Sequence, residues 1–255
     1  MKAFALLLFL LCWVPSASAI TLVIAHEGKE NPPYTYANKS DPALSKGVTL
    51  DVLNTIAKRL NFDIEYVHLP WLRALIKLKQ NKVDALFHAS FKQDRVKYGL
   101  YPMKNSLVDT DKMLMTQRYI LYKRVDSPLN WNGRSFTRLT GSLGAVMSYA
   151  IVSDLKKMGI KVTELSNSLA LLNQVQSGRL AGFVNLENMT DSTIRKNQAL
   201  LNSIEKIPMA VKEKPYYLMF SHGRFETHPE LVEAIWMEIN KINRSGEYQA
   251  FLREY

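Results

Sequence analysis

Few residues in this sequence could make or break covalent bonds, and their spacing does not suit them to it. The one cysteine, Cys12, lies inside an apolar N-terminal run. The histidines are His26, His68, His88, His222 and His228, and no two sit at metal-ligand spacing on one helix. There is no Gly-x-Ser-x-Gly elbow, phosphate loop or dinucleotide fingerprint. Neither a metal nor a cofactor is expected. The chemistry that remains is recognition. Arg95 follows Ser90 and His88 at the exit of a predicted strand, and a guanidinium offers a planar fork of donors that matches a carboxylate. Tyr34, Tyr36 and Trp71 could supply an apolar or cation–π wall. Each has a plainer reading: Arg95 as a surface arginine opening a helix, Trp71 as a core anchor, the tyrosines as loop aromatics.

These residues need elements to hold them, and strand and helix patterns alternate from Ile20 onward. ITLVIA (20–25) is a buried β-branched run, and Glu27 to Asp41 is a Pro- and Asn-rich loop. Val48, Val52, Ile56 and Leu60 recur at helical spacing after Gly47. DIEYVH (63–68) alternates like a strand, WLRALIKLKQ (71–80) reads as a helix and VDALFH (83–88) as a strand; Gln93 to Tyr98 could open another helix. Parallel strands need crossover helices, so this order predicts an α/β layer structure, with ligands beyond the carboxyl ends of the strands. A second such unit spans about 117–213. Its predicted strands are YILY (119–122), 135–139, KVTEL (161–165) and LAGFVN (180–185). Gly141-Ser142-Leu143-Gly144 leads into its first helix, and Leu169 to Gln176 forms its second. A strand at YYLMF (216–220) and a helix over 229–243 close the chain.

The N-terminus predicts export. Lys2, an apolar stretch from Ala3 to Val14, Pro15 and Ala17-Ser18-Ala19 have the layout of a cleavable signal peptide, cut after Ala19. The stretch is shorter than the ~20 residues of a spanning helix. Leu11 stands where a lipoprotein signal would carry a small residue before the cysteine. The expected mature chain has no thiol, so disulfides and cysteine chemistry are excluded and a core must hold it. The net charge is +10, or +9 without Lys2, but its lysines and arginines are interleaved with acids. That spread argues against nucleic acid and fits a solvated basic surface, with a mild bias toward anionic or zwitterionic ligands.

Four separated stretches resemble the family 3 extracellular solute-binding proteins, the polar amino acid receptors of ABC transporters. GVTLDVLNTIAKRL (47–60) resembles the family's G-x-x-x-D helix, with Asp51 at the acidic position. WLRALIKLKQNKVDAL (71–86) resembles its helix-turn-strand, with Asn81 in place of Gly. SFKQDR (90–95) resembles the S-x-T-x-x-R loop, and Gly178-Arg179-Leu180 with PYYLMF (215–220) resemble later strands. The resemblance implies a two-lobed periplasmic-binding-protein fold of type II, two α/β lobes joined by two crossover strands around an interlobe cleft. The expected boundaries are 1–19 for the signal, 20–116 with 215–255 for lobe 1, and 117–214 for lobe 2. It further implies that Arg95 binds a ligand carboxylate, that Ser90 stands where the family has a hydroxyl or backbone contact, and that Asn31 to Tyr34 is an aromatic-bearing loop; His88, two residues before Ser90, is a lining candidate by its place after a predicted strand. Gly141-Ser142-Leu143 resembles the family's G-T-T turn before a helix, whose backbone N–H groups favour an anion. Members that bind α-amino acids carry an aspartate where this chain has Leu186, flanked by Asn185 and Glu187. Without that carboxylate an ammonium is costly to bury, so an ordinary α-amino acid is a doubtful ligand.

The expected function is capture of a small polar, carboxylate-bearing solute in the periplasm, by a monomer that hands it to an inner-membrane ABC permease or a sensor. No bond is made or broken. The alternatives are an enzyme on the same fold, of the cyclohexadienyl dehydratase type with Glu187 or His88 as acid, or a receptor partner of a membrane signalling protein.

Overall fold

The computed structural model describes residues 20–38, 40–200 and 202–255. The signal-peptide expectation, with Cys12, lies outside them. The strands are β1 (Ile20–His26), β2 (Phe62–His68), β3 (Ala85–Ser90), β4 (Met103–Lys104), β5 (Leu107–Val108), β6 (Met115–Arg124), β7 (Asn130–Trp131), β8 (Phe136–Thr137), β9 (Leu143–Val146), β10 (Val162–Leu165), β11 (Gly182–Leu186) and β12 (Ile204–Phe220). The helices are α1 (Val48–Leu60), α2 (Trp71–Lys79), α3 (Ala150–Lys157), α4 (Ser168–Gln176), α5 (Glu187–Arg195), α6 (His222–Thr227), α7 (Pro229–Ser245) and α8 (Glu247–Arg253). Among the described residues no helix is long and apolar enough to cross a membrane.

Eight strands form one continuous sheet in the order β10-β9-β11-β6-β12-β3-β1-β2. Its two ends are alike. β1 pairs parallel with β2 and β3, while β9 pairs parallel with β10 and β11. Each trio is closed by an antiparallel strand, β12 on β3 and β6 on β11. Between the trios, β6 and β12 run antiparallel to each other, with Lys212 opposite Tyr119 and Tyr216 opposite Met115. The chain therefore leaves the first lobe along β6, builds the second, and returns along β12.

The helical stripe expected after Gly47 is present: Val48, Val52, Leu53, Ile56 and Ala57 are buried. Gly47 is required there. Its φ is 129°, and a Cβ would stand 2.5 Å from the Tyr34 carbonyl oxygen. Three readings shift. The strand expected over 135–139 is only the two-residue β8, and the strand leading into the second lobe's first helix is β9 instead. The helix expected from Gln93 is a single 3-10 turn over Gln93–Arg95. The return strand is 17 residues long, because it serves both lobes in turn.

Candidate functional site

The carboxyl ends of β1, β3, β9 and β11 converge on one cleft between the lobes, as strand-exit reasoning expects. The cleft encloses about 470 Å³ of space not filled by atoms, its mouth included. Glu27, Lys29 and Asn31 come to it from the loop after β1, and Phe87, His88, Ser90 and Arg95 from β3 and the turn beyond. Trp71 opens α2, Gln117 and Tyr119 lie on β6, and Tyr216 lies on β12. The second lobe supplies Tyr149, Ala150, Leu186 and Met189.

Arg95 is placed by geometry that the sequence only hinted at. One 3-10 turn, closed by the Arg95 N–H donating to the Lys92 carbonyl at 2.9 Å, brings the side chain back over the strand end. Its Nη1 donates to both the carbonyl and the hydroxyl of Ser90, at 2.9 Å each. Its Nη2 reaches across the cleft to the Ser148 carbonyl at 3.0 Å. The guanidinium carbon sits 5.0 Å from the centre of the Trp71 ring, a cation–π distance. A charge that is 5 % exposed is thus held by hydrogen bonds and an aromatic face, with no counter-ion among the described residues. Beyond it, Ser148 (φ 63°) turns the chain into α3. The first turn of α3 has no side-chain cap, and Tyr149 and Ala150 of that turn line the cleft. Uncapped N–H groups at a helix N-terminus and an arginine on the facing wall suit an anion.

A second polar group lies nearby. Tyr149 donates to Glu27 Oε2 at 2.5 Å across the cleft, and Lys29 meets Glu27 Oε1 at 2.5 Å. Lys29 also donates to the Ser166 carbonyl at 3.2 Å, and Glu30 pairs with Lys196, the residue that follows α5. The loop after β1 is thereby strapped onto the second lobe, and the lobes meet across the cleft.

His88 follows from a β-bulge. β12 shifts register between Tyr217, opposite Ala89, and Met219, opposite Leu86. Phe87 and His88 together face one residue, and His88 takes a φ of 62°. The bulge re-aims the imidazole into the cleft wall, where Nε2 meets Thr49 Oγ1 at 2.9 Å. Burial, with His26 as a lesser cause, pushes its pKa down to about 3, so the ring is neutral at physiological pH. His26 lies behind it, stacked on Phe87 at 4.7 Å and edge-on to His68 at 4.3 Å. Neither His26 ring nitrogen makes a well-formed hydrogen bond; burial first and His68 second lower its pKa to about 3, against a weak opposing contact with the Glu27 backbone. Among the described residues no group of three histidine, cysteine or acidic side chains could hold a metal ion.

Arg95, Ser90, His88 and Trp71 are therefore brought together at the cleft. Four other candidates are not. Ser142 lies at the opposite end of β9, bonded to Thr163 Oγ1 at 3.0 Å, because the turn that opens a helix is Ser148-Tyr149 and not Gly141-Ser142. Asn185 is fully buried, with Nδ2 donating to Ser168 at 2.9 Å and Thr190 at 3.1 Å. Glu187 turns to the hinge strands, pairing with Arg118 at 2.8 Å and Lys206 at 3.0 Å. Tyr34 packs edge-on to His88 at 6.4 Å behind the cleft wall, leaving Asn31 as the loop's lining residue. The gap-free position, Leu186, is the one that lines the cleft. Glu27, Lys29 and Tyr149 were not singled out in the sequence. The strand-exit rule reaches Glu27 and Lys29, whereas Tyr149 needed the correct strand before α3.

The sequence profile of the bacterial extracellular solute-binding proteins, family 3, matches residues 22–255. A search of curated proteins found no match. Among solved structures, a histidine kinase sensor domain with similarity to periplasmic binding proteins superposes with a TM-score of 0.75 at 16% identity, covering 93% of this chain and 96% of that one. The GluR0 ligand-binding core in complex with L-glutamate gives 0.72 at 18%, covering 93% and 99%. The arginine-, lysine-, histidine-binding protein ArtJ from Geobacillus stearothermophilus gives 0.72 at 12%, covering 92% and 94%. The fold is that of the type II periplasmic binding proteins, two α/β lobes about a cleft, and the chain belongs to the bacterial extracellular solute-binding proteins, family 3.

Proposed function

We propose that this protein is a periplasmic receptor that closes on a small carboxylate-bearing solute and presents it to an inner-membrane ABC permease. Residues 20–116 and 215–255 form the lobe that carries Arg95, residues 117–214 form the lobe that closes on it, and the hinge is the β6–β12 ladder. The observation that carries the reading is the Arg95 guanidinium, 5 % exposed, bonded to Ser90 on one lobe and to Ser148 on the other, directly before the uncapped start of α3. A carboxylate seated there would take bidentate donors from one lobe and backbone N–H groups from the other, so binding favours the closed form. The two acids that the enzyme reading would recruit are not poised for it: the imidazole of His88 is held neutral against Thr49, and Glu187 faces away. The likeness to a sensor domain supports a second reading, in which the same closure is read by a membrane kinase.

The test is a thermal-shift screen of the purified protein against amino acids, hydroxy and keto acids, polyamines and sugars. A ligand that binds only the folded state raises the melting temperature with its occupancy. Hits are expected among carboxylates and are expected to vanish in Arg95→Ala. Hits confined to neutral sugars, unchanged by that substitution, would contradict the reading.

A further inference from the structure

The cleft's charges and its unpartnered polar atoms narrow the solute further, on the premise that Arg95 receives a carboxylate. The charged lining is Arg95, Lys29 and Glu27, two cations against one carboxylate. That carboxylate is already engaged on both oxygens, Oε1 by Lys29 and Oε2 by Tyr149, each at 2.5 Å. Across the cleft the second lobe offers Leu186 and Met189, 4 % and 7 % exposed, and no acid among its described lining residues. A monoanion balances these charges. A zwitterion would bring an ammonium into a site with an excess of positive charge, an apolar facing wall and no free carboxylate, which is costly.

Two fully enclosed polar side-chain atoms on described lining residues have no hydrogen-bond partner. Trp71 Nε1 is a donor, and Asn31 Oδ1 is an acceptor on a residue only 4 % exposed. Buried polar atoms are rarely left unpaired, and a neutral amide oxygen suits a neutral donor such as a hydroxyl. Beside the polar Gln117, Ser90 and His88, much of the wall is aromatic: the rings of Trp71, Phe87, Tyr119, Tyr149 and Tyr216 line it. The hydroxyls of Tyr119 and Tyr216 are 2.6 Å apart and satisfy each other, so these rings offer apolar surface rather than polar demand.

We infer that the solute is a hydroxy monocarboxylate with an apolar, preferably aromatic body: a neutral hydroxyl facing Asn31 stands where an amino acid would carry its ammonium. Its carboxylate lies at Arg95 and Trp71 Nε1, and its body against the tyrosine-lined wall.

Calorimetry on the purified protein at neutral pH decides this with matched triplets that differ in one group. L-phenylalanine, L-phenyllactate and 3-phenylpropanoate form one triplet; the leucine and glutamate skeletons form two more. Phenyllactate is expected to bind at least about tenfold more tightly than phenylalanine, and more tightly than phenylpropanoate. Asn31→Ala is expected to erase the advantage over phenylpropanoate, and Leu186→Asp to move preference toward the amino acid. Tighter binding of the amino acid in every triplet overturns the inference while leaving the carboxylate receptor intact. Failure of every carboxylate to bind at about 1 mM, a very weak affinity, overturns both.

Discussion

Arg95 carries more than one duty, and its replacement separates them. Its Nη1 pair to Ser90 organises the strand end, and its Nη2 bond to Ser148 joins the lobes. Arg95→Ala should therefore lower ligand affinity by about 100-fold or more, as expected for losing a buried, charge-assisted pair. Arg95→Lys should restore little of it, since an ammonium cannot reproduce the fork or stack on Trp71; calorimetry on both variants checks this. His26 makes a different prediction. Its folded pKa of about 3 lies below the ordinary 6.5, so between those values the unfolded chain binds more protons than the folded one. Stability is then complete above about pH 6.5 and falls as pH drops toward 3, with His88 adding in the same direction. Thermal melts from pH 7.5 to 4 should show that fall. His26→Phe, which removes two unpartnered nitrogens from an aromatic cluster, should make it shallower at a cost below about 1.5 kcal/mol. A slope unchanged by the substitution would put the acid sensitivity elsewhere.

At the scale of elements, the strands and helices nearest the cleft explain which parts were legible. The first lobe could be read because β1 and β2 carry β-branched residues, β3 is an apolar run and the helices between them are amphipathic. The second lobe was harder to read. Phe136–Thr137 has the composition of a strand but forms only a short hairpin with Asn130–Trp131, while LGAV (143–146), the true parallel strand, contains a glycine. That misplacement put Ser142 at the site in place of Ser148 and Tyr149. Around Leu186 the ambiguity was one residue on a strand, and one residue turns a side chain to the other face. Asn185 consequently points away from the cleft, tying β11 to the starts of α4 and α5 through Ser168 and Thr190. Asn185→Ala should destabilise the fold by about 1–3 kcal/mol, the usual cost of stranding buried partners, and leave ligand affinity unchanged. Denaturant melts and calorimetry on one preparation separate the two effects.

For the whole molecule the question is how two lobes joined by one ladder are biased toward closure. Tyr149 to Glu27, Lys29 to Ser166, Glu30 to Lys196 and Arg95 to Ser148 all cross the cleft, and only the last sits where a carboxylate would bind. The half-buried strap of Lys29 and Glu30 should contribute modestly, as ion pairs near the surface do. Glu30→Ala, which removes the tie to Lys196 and leaves the cleft charges in place, should raise the radius of gyration of the free protein in X-ray scattering and weaken ligand affinity only a few-fold. The central claim is that a carboxylate bridges Arg95 and the start of α3, and a double-mutant cycle tests it directly. Binding of the best carboxylate ligand and of its neutral primary amide is measured by calorimetry on the wild-type protein and on Arg95→Ala. The account predicts a large preference for the acid in the wild type that collapses in the variant. Equal affinity for acid and amide in the wild type, or a preference that survives loss of the guanidinium, would contradict it.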